Sequence, residues 1–433
     1  MLTEKFLNRL LHKVKEMQDR EILKNNKWRV QTEMPNISER TKNLGTENAF
    51  VVLKEVNELI QKGRSIMNFC IGQPDFDTPE YIKEGAIKAI KEGKTGYTPS
   101  PGIPELRRVV AEYFSETRGI DVKPDWVVVA CGAKPFIGYT ILSVTDHGKG
   151  HKVVYPNPGF PIYESLIRAY GAVPVPIPLL ESKGFSIDID YLERIIDDKT
   201  RLLILNSPHN PTGGSLDRDT LEQIAEIVKR YDNLWVFSDE VYSRIVYDGE
   251  FVSIASIDGM LERTIIVDGV SKTYAMTGWR IGFAANPILA EHIARWVTNT
   301  ESCAPHPNQY AALTALTGPQ DDTRKMVETF RRRRDIIVER INSIEGIKCL
   351  KPKGAFYVWP NVTEACRIVG AKDSEEFRKR LLYEAGVAVL SDIHFGYRNE
   401  GEGEHIRLSY AASEDTIKEG LRRIKEFMEE NRI

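Results

Sequence analysis

A chain of 433 residues with 42% hydrophobic and 28% charged content carries enough apolar material for a large core, in one large or two unequal domains. Its net charge of −3, without a cluster of Lys/Arg interleaved with aromatics, argues against nucleic acid as a partner and favours small molecules. The five cysteines (Cys70, Cys131, Cys303, Cys349, Cys366) make no CxxC pair, the eight histidines make no HExxH, and no apolar run approaches a membrane span or a signal core. The expectation is a cytoplasmic protein with reduced thiols, no obligate metal and no membrane partner.

From the N-terminus, Leu2, Phe6, Leu10, Val14 and Met17 recur at spacings of three and four, a helical apolar stripe suited to a core or dimer contact. Residues 1–36 read as a helical extension and 37–79 as the first part of a small domain. From Asp121 strands alternate with helical segments, and strands are predicted at Trp126–Cys131, Lys152–Pro156, Arg201–Asn206, Asn233–Asp239, Arg263–Asp268 and Arg280–Ala285. That alternation predicts an α/β fold with a mostly parallel, doubly wound sheet in a large domain over 80–317. After Gly318 the chain turns helical and charged through Arg331–Asp335. Short β-like runs at Gly354–Trp359 and His405–Tyr410 then make 318–433 a smaller α/β domain. No internal repeat or low-complexity segment is visible.

Ligands of open parallel sheets bind beyond the carboxyl ends of the strands. Here those ends run into CGAKP (Cys131–Pro135), YPNPGFP (Tyr155–Pro161), NSPHNPTGG (Asn206–Gly214), SDEVY (Ser238–Tyr242) and DGVSK (Asp268–Lys272). Asn210, Asp239 and Lys272 are separated by about one βα unit each, so the three can converge. Each has a plainer use. Lys272, between two buried strand-like runs, is either a solvated loop cation or a nucleophilic amine. Asp239-Glu240 also fits a helix N-cap with an acidic first turn, and Asn210–Gly213 a turn. Gly132–Lys134 fits a helix start whose N–H groups also suit a phosphate. Their convergence on one crevice favours a site.

The run SKTYAMTGWRIG (Ser271–Gly282) resembles the pyridoxal-phosphate lysine signature of the class I/II aminotransferases. GYTPSPGIPELR (Gly96–Arg107), NSPHNPTGG, SDEVY and HIRLSYA (His405–Ala411) match that family in the same order, over a span from about Ile37 to the C-terminus. The resemblance implies the fold type I architecture of pyridoxal-phosphate enzymes, a homodimer with shared active sites, and pyridoxal 5′-phosphate as cofactor. It implies that Lys272 holds the cofactor as a Schiff base and acts as the base once released. Asp239 would pair with the pyridine nitrogen, Tyr242 and Asn210 would donate to the phenolate oxygen, and Arg280 would bind the phosphate with the backbone of Gly132 and Ala133, next to Lys134. Phe160 falls where a ring stacks on the cofactor, and Tyr97 where a residue reaches the neighbouring subunit's phosphate. Arg407 matches the arginine that grips the substrate α-carboxylate, which Gly72, in CIGQPDFDTP (Cys70–Pro79), approaches through its backbone.

The reaction implied moves the α-amino group of an L-amino acid to a 2-oxo acid in a ping-pong cycle through pyridoxamine phosphate. The resemblance is closest to the aspartate aminotransferase subgroup. Some of its members use a lysine at the Lys134 position for a distal carboxylate, which favours aspartate or glutamate as donor and 2-oxoglutarate as acceptor. Lys134 also fits a solvated residue or a phosphate ligand. Glu47, in GTENAF (Gly45–Phe50), lies in the segment that the family folds over the substrate mouth. It cuts the other way, since a carboxylate there repels an acidic side chain or favours a distal amine. Two departures stand out: Gly269, where many members carry a hydroxyl, and Ser391-Asp392, where many carry Pro-Gly before His394-Phe395-Gly396. The alternatives are another reaction of the same cofactor (β-lyase, decarboxylase or cyclase) or a transaminase for aromatic, alanine or amine-bearing substrates. A non-catalytic amino-acid sensor is disfavoured, because the chain leaves no room for a DNA-binding module and its charge is wrong for one.

Overall fold

The computed structural model describes residues 36–42 and 44–433. The stripe from Leu2 to Met17 lies outside them. Glu39–Lys42 is a single helical turn. Residues 44–433 fold as one compact body, whose strands are β1 (Met67–Asn68), β2 (Val127–Ala130), β3 (Lys152–Asn157), β4 (Val173–Pro178), β5 (Thr200–Asn206), β6 (Trp235–Asp239), β7 (Thr264–Gly269), β8 (Gly282–Ala285), β9 (Tyr357–Val358), β10 (Val387–Ala388), β11 (Leu390–Ser391) and β12 (Ile406–Ser409). Seven of them form one sheet in the order β2-β8-β7-β6-β5-β3-β4. β4, β3, β5, β6 and β7 run parallel, and β8 runs antiparallel to both of its neighbours, β7 and β2. The mostly parallel sheet predicted from the alternating pattern is therefore present.

Side chains alternate between the two faces of a strand, and each face meets its own layer of helices. Val128, Val153, Leu202, Ile204, Phe237, Ile265 and Ala284 pack in one cluster with the helices Pro135–Val144, Ile162–Ala169 and Ala290–Thr300. Their neighbours Val127, Val129, Ile266 and Phe283 face the helices Pro104–Arg118 and His306–Thr317, while Val154, Leu203 and Val236 face Arg218–Lys229. Burial on both faces explains the nearly continuous apolar runs of these strands. Each fully buried Val, Leu, Ile or Phe contributes about 1.5–3 kcal/mol. Strand order reverses between β3 and β5, and the crevice opens at the carboxyl ends there.

One strand departs from expectation. β4 has the sequence VPVPIP, which the apolar-run criterion passed over. It works because β4 is an edge strand. Val173 N–H and Leu179 N–H are given to the β3 side, while Pro174, Pro176 and Pro178 fall at positions whose N–H would face away from the ladder. Trp126 closes a short 3₁₀ turn, Pro124–Trp126, instead of opening β2.

Beyond the sheet, the helices Asp321–Asn342 and Glu414–Glu430 bury Phe330, Ile337, Ile341, Ile417, Leu421 and Ile424 in one cluster. They cover a small antiparallel sheet of order β11-β12-β9, and β1 pairs in parallel with β10. The helix Asn48–Gln61 turns Val52, Val56 and Leu59 inward at spacings of four and three. The side chains at Ser391-Asp392 are satisfied locally: Ser374 Oγ lies 2.9 Å from Ser391 Oγ in a buried contact, and Arg398 Nε donates to Asp392 Oδ2 at 2.9 Å in a partly buried one. The five cysteines are unpaired, and no described helix is long and apolar enough to cross a membrane.

Candidate active site

A cavity of about 530 Å³ lies beyond the ends of β3, β5, β6 and β7 and is closed from the other side by Gly72, Tyr357 and Arg407. Lys272 projects into it from the short helical turn that follows β7. Its Nζ donates to Gly72 O at 2.5 Å and stands 5.9 Å from the ring centroids of Tyr242 and Phe356. Burial, and then the charge of Arg407, lower its pKa to about 8. A Cβ on Gly72 would lie 2.0 Å from Tyr357 Oη, so the absence of a side chain there lets Tyr357 pack against this backbone. Only glycine fits the approach.

Asp239 ends β6 on the cavity floor and is buried. Tyr163 Oη donates to its Oδ2 at 2.6 Å, and Asn206 Nδ2 donates to its backbone carbonyl at 3.1 Å. Desolvation pushes its carboxyl up to about 6, against the pull of the Tyr163 bond. Among the described residues no cation pairs with it.

Arg407, on β12, is the mirror case. It is 4% exposed, its Nη1 donates to Asn210 Oδ1 at 2.9 Å and its Nη2 to Cys70 O at 2.5 Å, while its Nε–H has no partner. The guanidinium lies 4.5 Å and 4.7 Å from the ring centroids of Tyr357 and Phe395, and among the described residues no carboxylate meets it. Tyr242 and Tyr357 share a bond between their hydroxyls at 2.7 Å.

The loop Cys131–Lys134 runs against β8 with almost no clearance. A Cβ on Gly132 would lie 2.3 Å from Arg280 Nη2, and one on Gly282 would lie 2.2 Å from Ala133 N. Arg280 has a left-handed backbone (φ 56°) that turns its side chain over this loop, where Nη1 donates to Thr277 O at 2.9 Å and Nη2 to Cys131 O at 3.1 Å. Gly132 gives its N–H to Ala130 O at 2.7 Å and leaves room for Arg280, and Ala133 lines the cavity. At Gly269 a Cβ would lie 3.0 Å from Ile281 O, and the hydroxyl-bearing residues of this wall are Ser271 and Thr277.

The family model for "Aminotransferase class I and II" matches residues 64–424. The chain belongs to that family. Among curated relatives, the "Probable aspartate/prephenate aminotransferase" of Aquifex aeolicus is 38% identical over 91% of this chain and 99% of its own length. The "Aspartate aminotransferase" of Bacillus subtilis is 36% identical, also over 91% and 99%. The crystal structure of the aspartate aminotransferase from Rhizobium meliloti superposes with a TM-score of 0.86 at 34% identity, covering 91% of this chain and 99% of that one. The protein is an aminotransferase with an α/β fold of the type these neighbours share.

In this aminotransferase Phe160 and Lys134 sit together at the cavity mouth, the Lys134 ammonium 5.4 Å over the Phe160 ring centroid. Lys134 is not a free cation, because it is ion-paired to Glu47. Tyr97 is outside the cavity and 90% exposed. Tyr163, Asn206 and Tyr357, which touch Asp239, Tyr242 or Arg407, escaped the sequence reading. Asn206 lies inside NSPHNPTGG, Tyr163 lies two residues beyond YPNPGFP and Tyr357 inside the run Gly354–Trp359, but the partners of the two tyrosines, Asp239 and Tyr242, come from other elements.

Behind the cavity floor of the aminotransferase lies a second set of charges. Arg118 is fully buried and donates from Nε to Glu240 Oε2 at 2.9 Å and from Nη2 to Asp268 Oδ2 at 2.6 Å. Asp268 also receives Tyr113 Oη at 2.9 Å, Ser243 Oγ at 3.1 Å and Gly269 N–H at 2.7 Å, and Glu240 receives the hydroxyls of Ser238 and Ser253 at 2.9 and 2.5 Å. These bonds tie together the ends of β6 and β7, the strands that carry Asp239 and lead to Lys272.

Proposed function

We propose that this aminotransferase holds pyridoxal 5′-phosphate through Lys272 and transfers the α-amino group of an L-amino acid, with aspartate or glutamate favoured, to 2-oxoglutarate. The observation that carries the reading is a pair of buried, opposite charges without counter-ions among the described residues, Asp239 and Arg407, flanking a desolvated amine. A buried unpaired charge is costly, so each calls for a ligand group of the opposite sign. A ring nitrogen that carries a proton fits Asp239, and an α-carboxylate fits Arg407.

When bound, pyridoxal phosphate supplies an aldehyde that captures the substrate amine and a ring that draws electron density from the α-carbon. The residues divide the remaining work. Lys272, with its pKa brought down to about 8, takes the proton from the substrate α-carbon in one half-reaction and returns one to the α-carbon in the other. Asp239 would hold the proton on the ring nitrogen. Tyr242 and Asn210 would donate to the ring hydroxyl oxygen, Phe160 would stack on the ring face, and Arg280 with the Ala133 N–H would hold the phosphate. Arg407, with one N–H free and Asn210 against it, would orient the α-carboxylate beside Gly72.

The names of the Aquifex and Bacillus relatives support aspartate as donor, with Lys134 the candidate for a distal carboxylate. The exposure of Tyr97 supports a homodimer in which it completes the partner's site, and unpaired cysteines support a cytoplasmic setting. The β1–β10 pairing supports reading the two chain ends as one smaller domain beside 80–317. Borohydride reduction of the purified holoenzyme, followed by peptide mapping, tests the reading: pyridoxyl mass on the peptide containing Lys272 is expected. Mass on another lysine, or none, rejects it.

A further inference from the structure

Glu47 occupies a helix N-cap and does not act as one. It precedes the helix Asn48–Gln61 with an extended backbone (φ −81°, ψ 101°), yet its side chain makes no capping bond. Instead it turns to the cavity mouth and pairs with Lys134, the Glu47 side chain 21% exposed and the Lys134 side chain 43%. Gly45 N–H donates to Ser165 Oγ at 2.9 Å, and the helix is anchored through Val52, Val56 and Leu59. The backbone on both sides of Glu47 is therefore tied down, and rotation of its side chain is enough to open the pair.

A dicarboxylic substrate gripped at Arg407 carries a second carboxylate toward the mouth. Among the described lysines and arginines lining the cavity, Lys272, Arg280 and Arg407 are taken by the reading above, which leaves Lys134 for that carboxylate. Glu47 already presents the same chemical group to the same ammonium. We propose that Glu47 is an internal competitor for the substrate's distal carboxylate. Seated on Lys134, it gives the mouth a neutral pair beside the apolar walls Ile71, Ile137 and Phe160, which suits uncharged side chains, and a dicarboxylate enters by displacing it. Such displacement is open to a substrate because a half-exposed ion pair is weak and screened by salt. The inference rests on the amino-acid and 2-oxo-acid reading and names how that site sorts side chains.

The test uses holoenzyme and separate half-reactions, so that no dicarboxylate acceptor is present. The rate constants kcat/KM for aspartate and phenylalanine, and the affinity for maleate as a non-reacting dicarboxylate, are measured spectrophotometrically in wild type, Glu47→Gln, Lys134→Met and the double variant. Glu47→Gln is expected to raise the aspartate-to-phenylalanine ratio at least tenfold and to tighten maleate by a similar factor. Both gains should vanish when Lys134 is also replaced. An unmoved ratio, a gain that survives in the double variant, or a wild-type preference for ornithine that Glu47→Gln abolishes would each overturn the competitor role. If wild type reacts with no amino acid and carries no pyridoxyl group on Lys272, the underlying reading fails and takes this one with it. An active wild type with an unmoved ratio removes the Glu47 role alone.

Discussion

Two groups of buried charge stand on opposite sides of the ends of β6 and β7. Behind the strands, Arg118 lies between Glu240 and Asp268, and serine and tyrosine hydroxyls complete both carboxylates. In front, Asp239, Lys272 and Arg407 share one cavity, and none of the three forms an ion pair with a described residue. Asp239 and Arg407 are buried like the rear charges and Lys272 is half-buried, so burial alone does not explain the difference. The rear group is complete as folded and holds the strand ends. The front charges have no counter-ion among the described residues, and in the proposed function a ligand supplies it.

Substitutions should separate the two groups, and the largest effect belongs to the front. Lys272→Ala is expected to slow single-turnover transamination by at least ~10²–10⁴-fold, the worth of a positioned general base. It should leave urea unfolding of the cofactor-free protein unweakened, because a desolvated amine has been removed. Behind the strands the order reverses: Arg118→Met leaves two buried carboxylates facing each other and is expected to cost about 3–5 kcal/mol of unfolding free energy. A loss below 1 kcal/mol would mean that the rear network is not what holds the strand ends.

Arg407→Lys keeps the charge and loses the fork. Charge-assisted hydrogen bonds of this kind are worth about 1.5–3 kcal/mol, so kcat/KM should fall by roughly ten- to a hundredfold while the cofactor is retained. The remaining predictions concern pH. Lys272 is protonated below its lowered pKa, so the rate at which cofactor-free protein captures pyridoxal phosphate should climb through about pH 8, where an ordinary lysine would climb only near 10.5. Desolvation raises the carboxyl of folded Asp239 to about 6, above the 3.8 of a free aspartate side chain. Its contribution to stability is fully present below the lower value and is lost as pH rises to the upper one. Asp239→Asn should flatten the stability of cofactor-free protein across that window, as followed by urea midpoints.

The sequence made the front group readable and left the rear group unseen, for a physical reason. Lys272, Asp239, Asn210 and Arg407 sit at strand ends or on short strands, each within a run of distinctive residues, and one chemistry explains all four. Arg118 closes an otherwise ordinary amphipathic helix, and its partners Glu240 and Asp268 read locally as a first-turn acid and a strand end. Their pairing depends on how a helix face meets the sheet, which periodicity does not encode. The sheet was likewise legible from its apolar runs except at β4, where alternating prolines hide an edge strand. Tyr163 and Tyr357 belong with the unseen, since each reaches its partner from another element.

The pairing of Met67–Asn68 with Val387–Ala388 also sets an order in time. These segments lie more than three hundred positions apart, and the carbonyls of Cys70 and Gly72 that meet Arg407 and Lys272 follow directly after β1. Contacts of such long range are slow to close. On the ribosome, which releases the chain from its N-terminus, the large sheet and its lysine emerge well before residues 387–409 exist to supply the opposite wall. A nascent chain can thus acquire its amine long before it can recognise a carboxylate, and selectivity is the last property that synthesis confers.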